Sequence, residues 1–234
     1  GYVHDIGLDP ADIAGRVRGE LSLALPLLVD PPLSSMEIDL GADLFELAVP
    51  GRAMGNLVEG GLHNGQAALL LDAGGFDLSG EGLLAGTPAE FHWRENFSPA
   101  MGTAKRRLDV SGSLDDAARV RAGLADAAIR GPLDVELRLA ETAEGLLTGE
   151  LDIDGKAAEL SLPELDWHKS AGGQAEARFG LEWEDGTLQR LTQFGLLADG
   201  LAAAGSAERD ASGVWTVGFD RLATGLTDIR GSVR

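Results

Sequence analysis

The chain contains no cysteine, three lysines, one tyrosine and only twelve aromatic residues in all. Without thiols there is no disulfide framework, no thiolate nucleophile and no cysteine-ligated zinc. A cysteine-free chain suits a reduced compartment and an oxidising one that avoids stray thiols equally well. Basic residues are also scarce: 19 against 38 acidic ones give a formal net charge of −19 over 234 residues. A surface this acidic repels phosphate backbones and anionic bilayers, which argues against nucleic-acid binding and against membrane docking by bulk charge.

Long apolar runs are missing too. The longest uncharged stretch, Gly60 to Leu71, is twelve residues long and includes His63, Asn64 and Gln66. It is too short and too polar to span a bilayer. The opening Gly1-Tyr2-Val3-His4-Asp5 has no basic start leading into an apolar core, so it does not read as a signal peptide, and the chain reads as a piece of something longer. Any membrane anchor is expected outside it. No Pro-rich or Ser-rich linker and no repeat of fixed period marks an internal boundary, so residues 1–234 read as a single segment. The 33 glycines and the 44% apolar content fit a turn-rich domain with a sizeable core.

What is present is alternation. Val17, Leu21, Leu23 and Leu25 interleave with Arg18, Glu20 and Ser22, and Met36, Ile38 and Leu40 with Glu37 and Asp39. Phe91 and Trp93 flank His92. Leu108 and Val110 flank Asp109, and Leu151 and Ile153 flank Asp152. Leu133, Val135, Leu137 and Leu139 interleave with Asp134, Glu136 and Arg138. Ala175, Ala177, Phe179, Leu181 and Trp183 alternate with Glu176, Arg178 and Glu182, and Trp215, Val217 and Phe219 repeat the theme near the end, where Thr227, Ile229 and Val233 continue it. Period two is the signature of strands with one buried and one wet face. Asn64-Gly65, Asp154-Gly155, Asp185-Gly186 and Ser212-Gly213 read as the turns between them. The expectation is a mainly β protein of about ten antiparallel strands sharing an apolar face.

One segment departs from that period. Leu114, Ala117, Ala118, Leu124 and Ala128 follow a helical spacing, with Asp115 and Asp116 in the first turn and Gly131-Pro132 as a stop, so a short amphipathic helix is expected over about residues 114–129. Gly123 opposes it. Residues 188–204 fit either period, and Gly195 and Gly200, each costing roughly 1 kcal/mol inside a helix, favour strand.

The search for chemistry is negative. The four histidines, at 4, 63, 92 and 168, have no second ligand at metal spacing. Asp166 and His168, two apart, would share a strand face opposite Trp167, yet no nucleophile accompanies them. Ser79 and Ser111 lack the glycine two positions earlier that a nucleophile elbow needs. Asp152-Ile153-Asp154-Gly155 opens like a calcium loop but lacks the later ligands. Neither an enzyme nor a metal or other cofactor is expected. Charge placement adds one feature: between Glu90 and Arg130 seven basic residues face six acidic ones, a local +1 against −20 elsewhere. The triplet Lys105, Arg106 and Arg107 within it is a candidate contact for anionic head groups or a partner protein.

The run Gly86-Thr87-Pro88-Ala89-Glu90-Phe91-His92-Trp93-Arg94-Glu95-Asn96-Phe97, preceded by Leu78-Ser79-Gly80-Glu81-Gly82, resembles the long AsmA-like proteins of Gram-negative bacteria, as do Asp185-Gly186-Thr187-Leu188 to Phe194 and Gly213-Val214-Trp215 to Gly225. The resemblance implies an elongated antiparallel sheet curled into an open, apolar-lined groove. It also implies an inner-membrane anchor outside the chain and a periplasmic location, where phospholipid moves toward the outer membrane. A periplasmic or outer-membrane protein partner fits that setting, and the family offers no catalytic residues. Strand parity nominates the lining: Phe91, Trp93, Leu108, Val110, Leu133, Val135, Leu137, Leu139, Leu151, Ile153, Phe179, Leu181, Trp183, Val217 and Phe219, against which acyl chains would lie. The competing expectation is a β-sandwich or adhesin-like interaction module without lipid.

Overall fold

The computed structural model describes residues 13–24, 37–50, 61–121, 124, 126–184, 186–224 and 227–233. Leu25, Met36, Gly123 and Asp185 lie outside them. Sixteen strands and one short helix are formed among the described residues. In the first half they are β1 (Ala14–Ala24), β2 (Glu37–Val49), β3 (Leu62–Asp72), β4 (Gly75–Leu84), β5 (Thr87–Asn96), β6 (Ala104–Leu114) and helix α1 (Asp116–Arg121). Then follow β7 (Ile129–Arg130), β8 (Leu133–Thr142), β9 (Leu147–Asp154), β10 (Glu159–Leu162), β11 (Trp167–Lys169), β12 (Ala175–Glu184), β13 (Thr187–Ala198), β14 (Leu201–Arg209), β15 (Trp215–Thr224) and β16 (Thr227–Val233). The protein is mainly β, built on a 13-stranded antiparallel sheet of order β1-β2-β3-β4-β5-β6-β8-β9-β12-β13-β14-β15-β16 that does not close into a barrel, with a second sheet of order β11-β10-β7. Consecutive strands are neighbours nearly throughout, the product of short turns between amphipathic strands.

The chain divides into two compact units, Gly1–Val110 with Ala140–Glu144, and Ser111–Leu139 with Gly145–Arg234. In the first, β1 to β5 pair antiparallel in sequence order. Its core is Leu47, Leu62 and Ala67, packed by Leu44, Val49, Leu78, Leu84 and Phe91. Asn64-Gly65, expected as a hairpin turn, instead lies inside β3. Asn64 has φ 51°, and the pairing with β4 shifts between His63 and Gln66, so the dipeptide forms a bulge. The tight turn sits at Ala85-Gly86, where φ values of 49° and 75° and the Leu84–Thr87 pairing mark a two-residue hairpin.

In the second unit β9, β12, β13, β14, β15 and β16 pair antiparallel. Residues 187–198 and 201–209 are strands, so the strand reading of 188–204 holds for Gly195, but Gly200 lies with φ 76° in the turn that divides the stretch in two. The helix is much shorter than its expected span of 114–129. Asp115 caps it by accepting the Ala118 N–H at 2.7 Å, but it ends at Arg121, and Ile129 is already in β7. The Leu124 N–H returns to the Arg119 carbonyl at 2.8 Å and closes the helix, and farther on the Asp126 carboxylate takes the Ala128 N–H at 2.8 Å in an Asx turn that leads into β7.

Candidate functional site

Register assembles one apolar face in the second unit. Across β9 and β12, Ile153 pairs with Ala177, Leu151 with Phe179, Gly149 with Leu181 and Leu147 with Trp183. Across β12 and β13, Ala177 meets Leu196, Phe179 meets Phe194 and Trp183 meets Leu188. The face continues through Ala203 and Ala207 on β14 to Leu222, Phe219 and Val217 on β15. Phe194 and Phe219 meet edge-on with centroids 5.8 Å apart. Leu139 joins this face: a Cβ built on Gly149 would lie 2.7 Å from a Leu139 methyl and 3.0 Å from the Trp183 ring, so all three share one spot. Leu133, Leu139 and Leu181 are buried, whereas Val135, Leu137, Leu151, Ile153, Phe179, Trp183, Val217 and Phe219 are half-buried.

One end of the face is covered. The small sheet presents Trp167, Leu160 and Leu162 against Ala175, Ala198 and Leu201, and the Trp167 Nε1 donates to the Asp199 carbonyl at 2.8 Å. Lys169 anchors the loop beside it. Its ammonium is buried and donates to the carbonyls of Gly155 at 2.7 Å, Lys156 at 3.1 Å and Ala158 at 2.6 Å. In the same unit the buried Arg119 ties α1 to β7 through the carbonyls of Leu114, Gly131 and Ile129 and the Asp116 carboxylate.

In the first unit the corresponding face carries Val17, Leu21 and Leu23 on β1, opposite Leu44, Leu40 and Ile38 on β2. It runs on through Ala67, Leu69 and Leu71 to Gly80, Leu78 and Phe76, and then to Phe91, Trp93 and Glu95. Phe76 meets Trp93 edge-on at 5.4 Å. The nominated Leu108 and Val110 are half-buried. The basic triplet next to them is divided by strand alternation, with Arg106 on the face opposite to that of Lys105 and Arg107. Arg106 is engaged by Glu95 and Glu141 and stacks 5.9 Å from the Trp93 ring centre, while Lys105 is half-buried and Arg107 exposed. Trp93 Nε1 is buried and finds no acceptor among the described residues.

The reverse faces are charged. In the second unit Arg138 bridges Glu136, Glu150 and Asp152, Arg178 joins Asp152 at 2.5 Å, and Arg190 links Glu182 to Glu208. Glu136, first by its hydrogen bond and then by its charge, raises the Arg138 pKa, with Asp152 and Glu150 adding to it. The Asp152 hydrogen bond and charge do the same for Arg178. An open cleft of about 630 Å³ is bordered by Asp134, Glu136, Arg138, Asp152 and Arg178, and a second, of about 770 Å³, in the first unit, by Arg18, Glu20, Asp39 and Asp43. Leu196 and Leu197 also line the first cleft and Ala68 and Leu70 the second, so both are open and mixed in character, with charged and apolar side chains side by side.

Among the described residues Ser79, Asp77, His92 and Asp109 come together on one exposed face of β4 to β6. His92 stands opposite Ser79, but its Nε2 lies 2.9 Å from Asp77 Oδ1 and its Nδ1 3.9 Å from Asp109 Oδ2. The Nε2 is held by the Asp77 carboxylate, whereas Nδ1 lies beyond hydrogen-bond distance of Asp109. Asp166 is not on a strand with His168; it holds φ 48° and ends a 3₁₀ turn at Pro163–Leu165, while Trp167 and Lys169 are buried and His168 is exposed. Among the described residues no group of three His, Asp or Glu side chains could hold a metal ion, and no helix is long and apolar enough to cross a membrane. Comparison with protein families, curated proteins and solved structures finds no match for the chain.

Proposed function

We propose that the chain is a lipid-binding segment of a periplasmic transport protein, the apolar face of its second unit serving as an open groove along which phospholipid acyl chains lie on their way between inner and outer membrane. The observation that carries this reading is the apolar face that continues from β9 to β15 across the register shifts in β12 to β15, most of it half-buried, with the small sheet covering only the Trp167 end. A face of Leu, Val, Ile, Phe and Ala gains roughly 0.8 kcal/mol for each methylene it removes from water, so a sixteen-carbon chain gains on the order of 12 kcal/mol. That gain varies little from one aliphatic row to the next, and a lipid slides where no row holds it more tightly than its neighbours. The resemblance to AsmA-like proteins points to the same cargo, and the proposed role requires no catalysis.

The packing of Trp167, Leu160 and Leu162 on Ala175, Ala198 and Leu201 is what a sandwich does at one end, and it supports the second reading, an interaction module with a closed core. Photo-crosslinking in cells separates the two. A benzophenone side chain at Leu137 or Phe179, with Glu176 on the charged face as control, should give lipid adducts at the first two positions and none at the third. No adduct at either apolar position overturns the lipid reading.

A further inference from the structure

We propose that β1 is a self-association edge, at which two copies of the chain join antiparallel about a two-fold axis through Gly19. Among the described residues the strand lies at the end of the sheet order, and all of its eleven residues are exposed. Val17, Leu21 and Leu23 are 70%, 64% and 52% exposed although they stand in register with Leu44, Leu40 and Ile38 on β2. A long exposed edge with an apolar face is a template for another strand.

The sequence of β1 selects a copy of itself as that strand. In an antiparallel pair centred on Gly19, Arg18 of each copy stands opposite Glu20 of the other, and Val17 opposite Leu21. The two-fold repeats both pairs, giving two ion pairs on the charged side and two apolar contacts on the other. Moving the centre to Val17 would set Arg16 against Arg18. Moving it to Leu21 would leave Arg18 facing Ala24 and Glu20 facing Ser22. Centring on Arg18 or on Glu20 would set that residue against its own copy. Cross-strand charge therefore favours the Gly19 register among those that keep the apolar residues on one side. A two-fold normal to the sheet makes this contact isologous and self-limiting, and it carries the apolar faces of both copies on the same side. The inference does not depend on what that face binds.

Sedimentation velocity on residues 1–234 should show a concentration-dependent species of twice the 24.4 kDa chain mass. Arg18→Glu alone, or Glu20→Arg alone, places like charges opposite each other twice and should weaken association by about tenfold or more. The double exchange Arg18→Glu with Glu20→Arg should restore it, and circular dichroism of all three should match the parent, since these side chains are exposed. Because the chain has no cysteine, Val17→Cys with Leu21→Cys should give a disulfide-linked dimer under mild oxidation, and Val17→Cys alone should not. A monomer at all concentrations overturns the proposal, and slow amide exchange along β1 in that monomer would assign the edge to another segment of the same chain. A dimer indifferent to both single exchanges overturns it as well.

Discussion

Arg106 donates its Nε to the carboxylate of Glu95 at 3.2 Å, and Glu95, only 5% exposed, stands on the same strand face as Phe91 and Trp93. The pair closes the apolar row of β5 with a compensated charge. Arg106 also donates to Glu141 at 3.0 Å, so removing it strands one buried carboxylate and one half-buried one. Arg106→Met is expected to cost about 2–3 kcal/mol, measured by urea denaturation, because an unpaired buried charge loses more than the pair itself contributed. Glu141→Gln should cost less than about 1 kcal/mol, since Glu141 is the more exposed partner.

Lys169 gives a second prediction. Its ammonium satisfies three carbonyls of the 155–158 loop, and Lys169→Met would leave all three without that donor. The expected loss is about 2–4 kcal/mol. Amide exchange should quicken at Ala158, whose N–H bonds to the Gly155 carbonyl, and at Gly172, whose N–H bonds to Lys156, before it does along β13 and β14. Uniform loss of protection over the whole unit would contradict this local role.

The period-two signal was enough to find most of the strands, because each strand has one face against the core and one against water. Residues 175–184 could be read nearly to the residue, and 133–142 from its start as far as Leu139. What could not be read were features fixed by pairing across the sheet. Asn64-Gly65 looks like a turn locally and becomes a bulge because Gln66 continues the ladder on to Glu81. Ala85 occupies a left-handed turn position that its own preference opposes, since the Leu84–Thr87 pairing demands it. The helix over 114–129 has an apolar stripe in the sequence, but the Leu124 N–H closes it by returning to the Arg119 carbonyl. Arg106 counts as one of three adjacent cations in sequence, whereas alternation separates it from its neighbours and hands it to Glu95. The burial of Lys169 had a signal that was passed over: it lies two residues after Trp167 and so shares its buried face.

Two glycines should respond differently to the same added methyl. At Gly149 an alanine Cβ would meet a Leu139 methyl at 2.7 Å and the Trp183 ring at 3.0 Å, side chains that can shift. At Gly80 it would meet the Gln66 carbonyl oxygen at 2.1 Å and the Ala67 Cα at 2.7 Å, which are backbone atoms of the adjacent strand. Gly149→Ala should cost about 1–2 kcal/mol, partly recovered by Leu139→Val, while Gly80→Ala should cost more than about 3 kcal/mol with no side-chain rescue. Thermal denaturation of the two single variants and the double decides it; equal losses at the two sites would show that β3 and β4 can separate freely.

The last prediction bears on what lies against the apolar face of the second unit. Leu201 is 2% exposed beneath Trp167, and Leu201→Asp would bury an unpaired carboxylate whether or not lipid ever binds. It should lower stability by about 4 kcal/mol or more. Phe179, on the same face, is half-buried and paired with Leu151 and Phe194. If acyl chains are its partner, the lipid-free protein presents that position to water, and Phe179→Asp should cost only about 1–2 kcal/mol while abolishing co-purifying lipid in native mass spectrometry. If protein packs there instead, the carboxylate enters a closed core and Phe179→Asp should be as damaging as Leu201→Asp, with no lipid in the parent to lose. The difference in stability between these two variants, read beside the lipid content of the parent, therefore tests the groove without any transport assay. Matching stability losses with a lipid-free parent would rule the groove out.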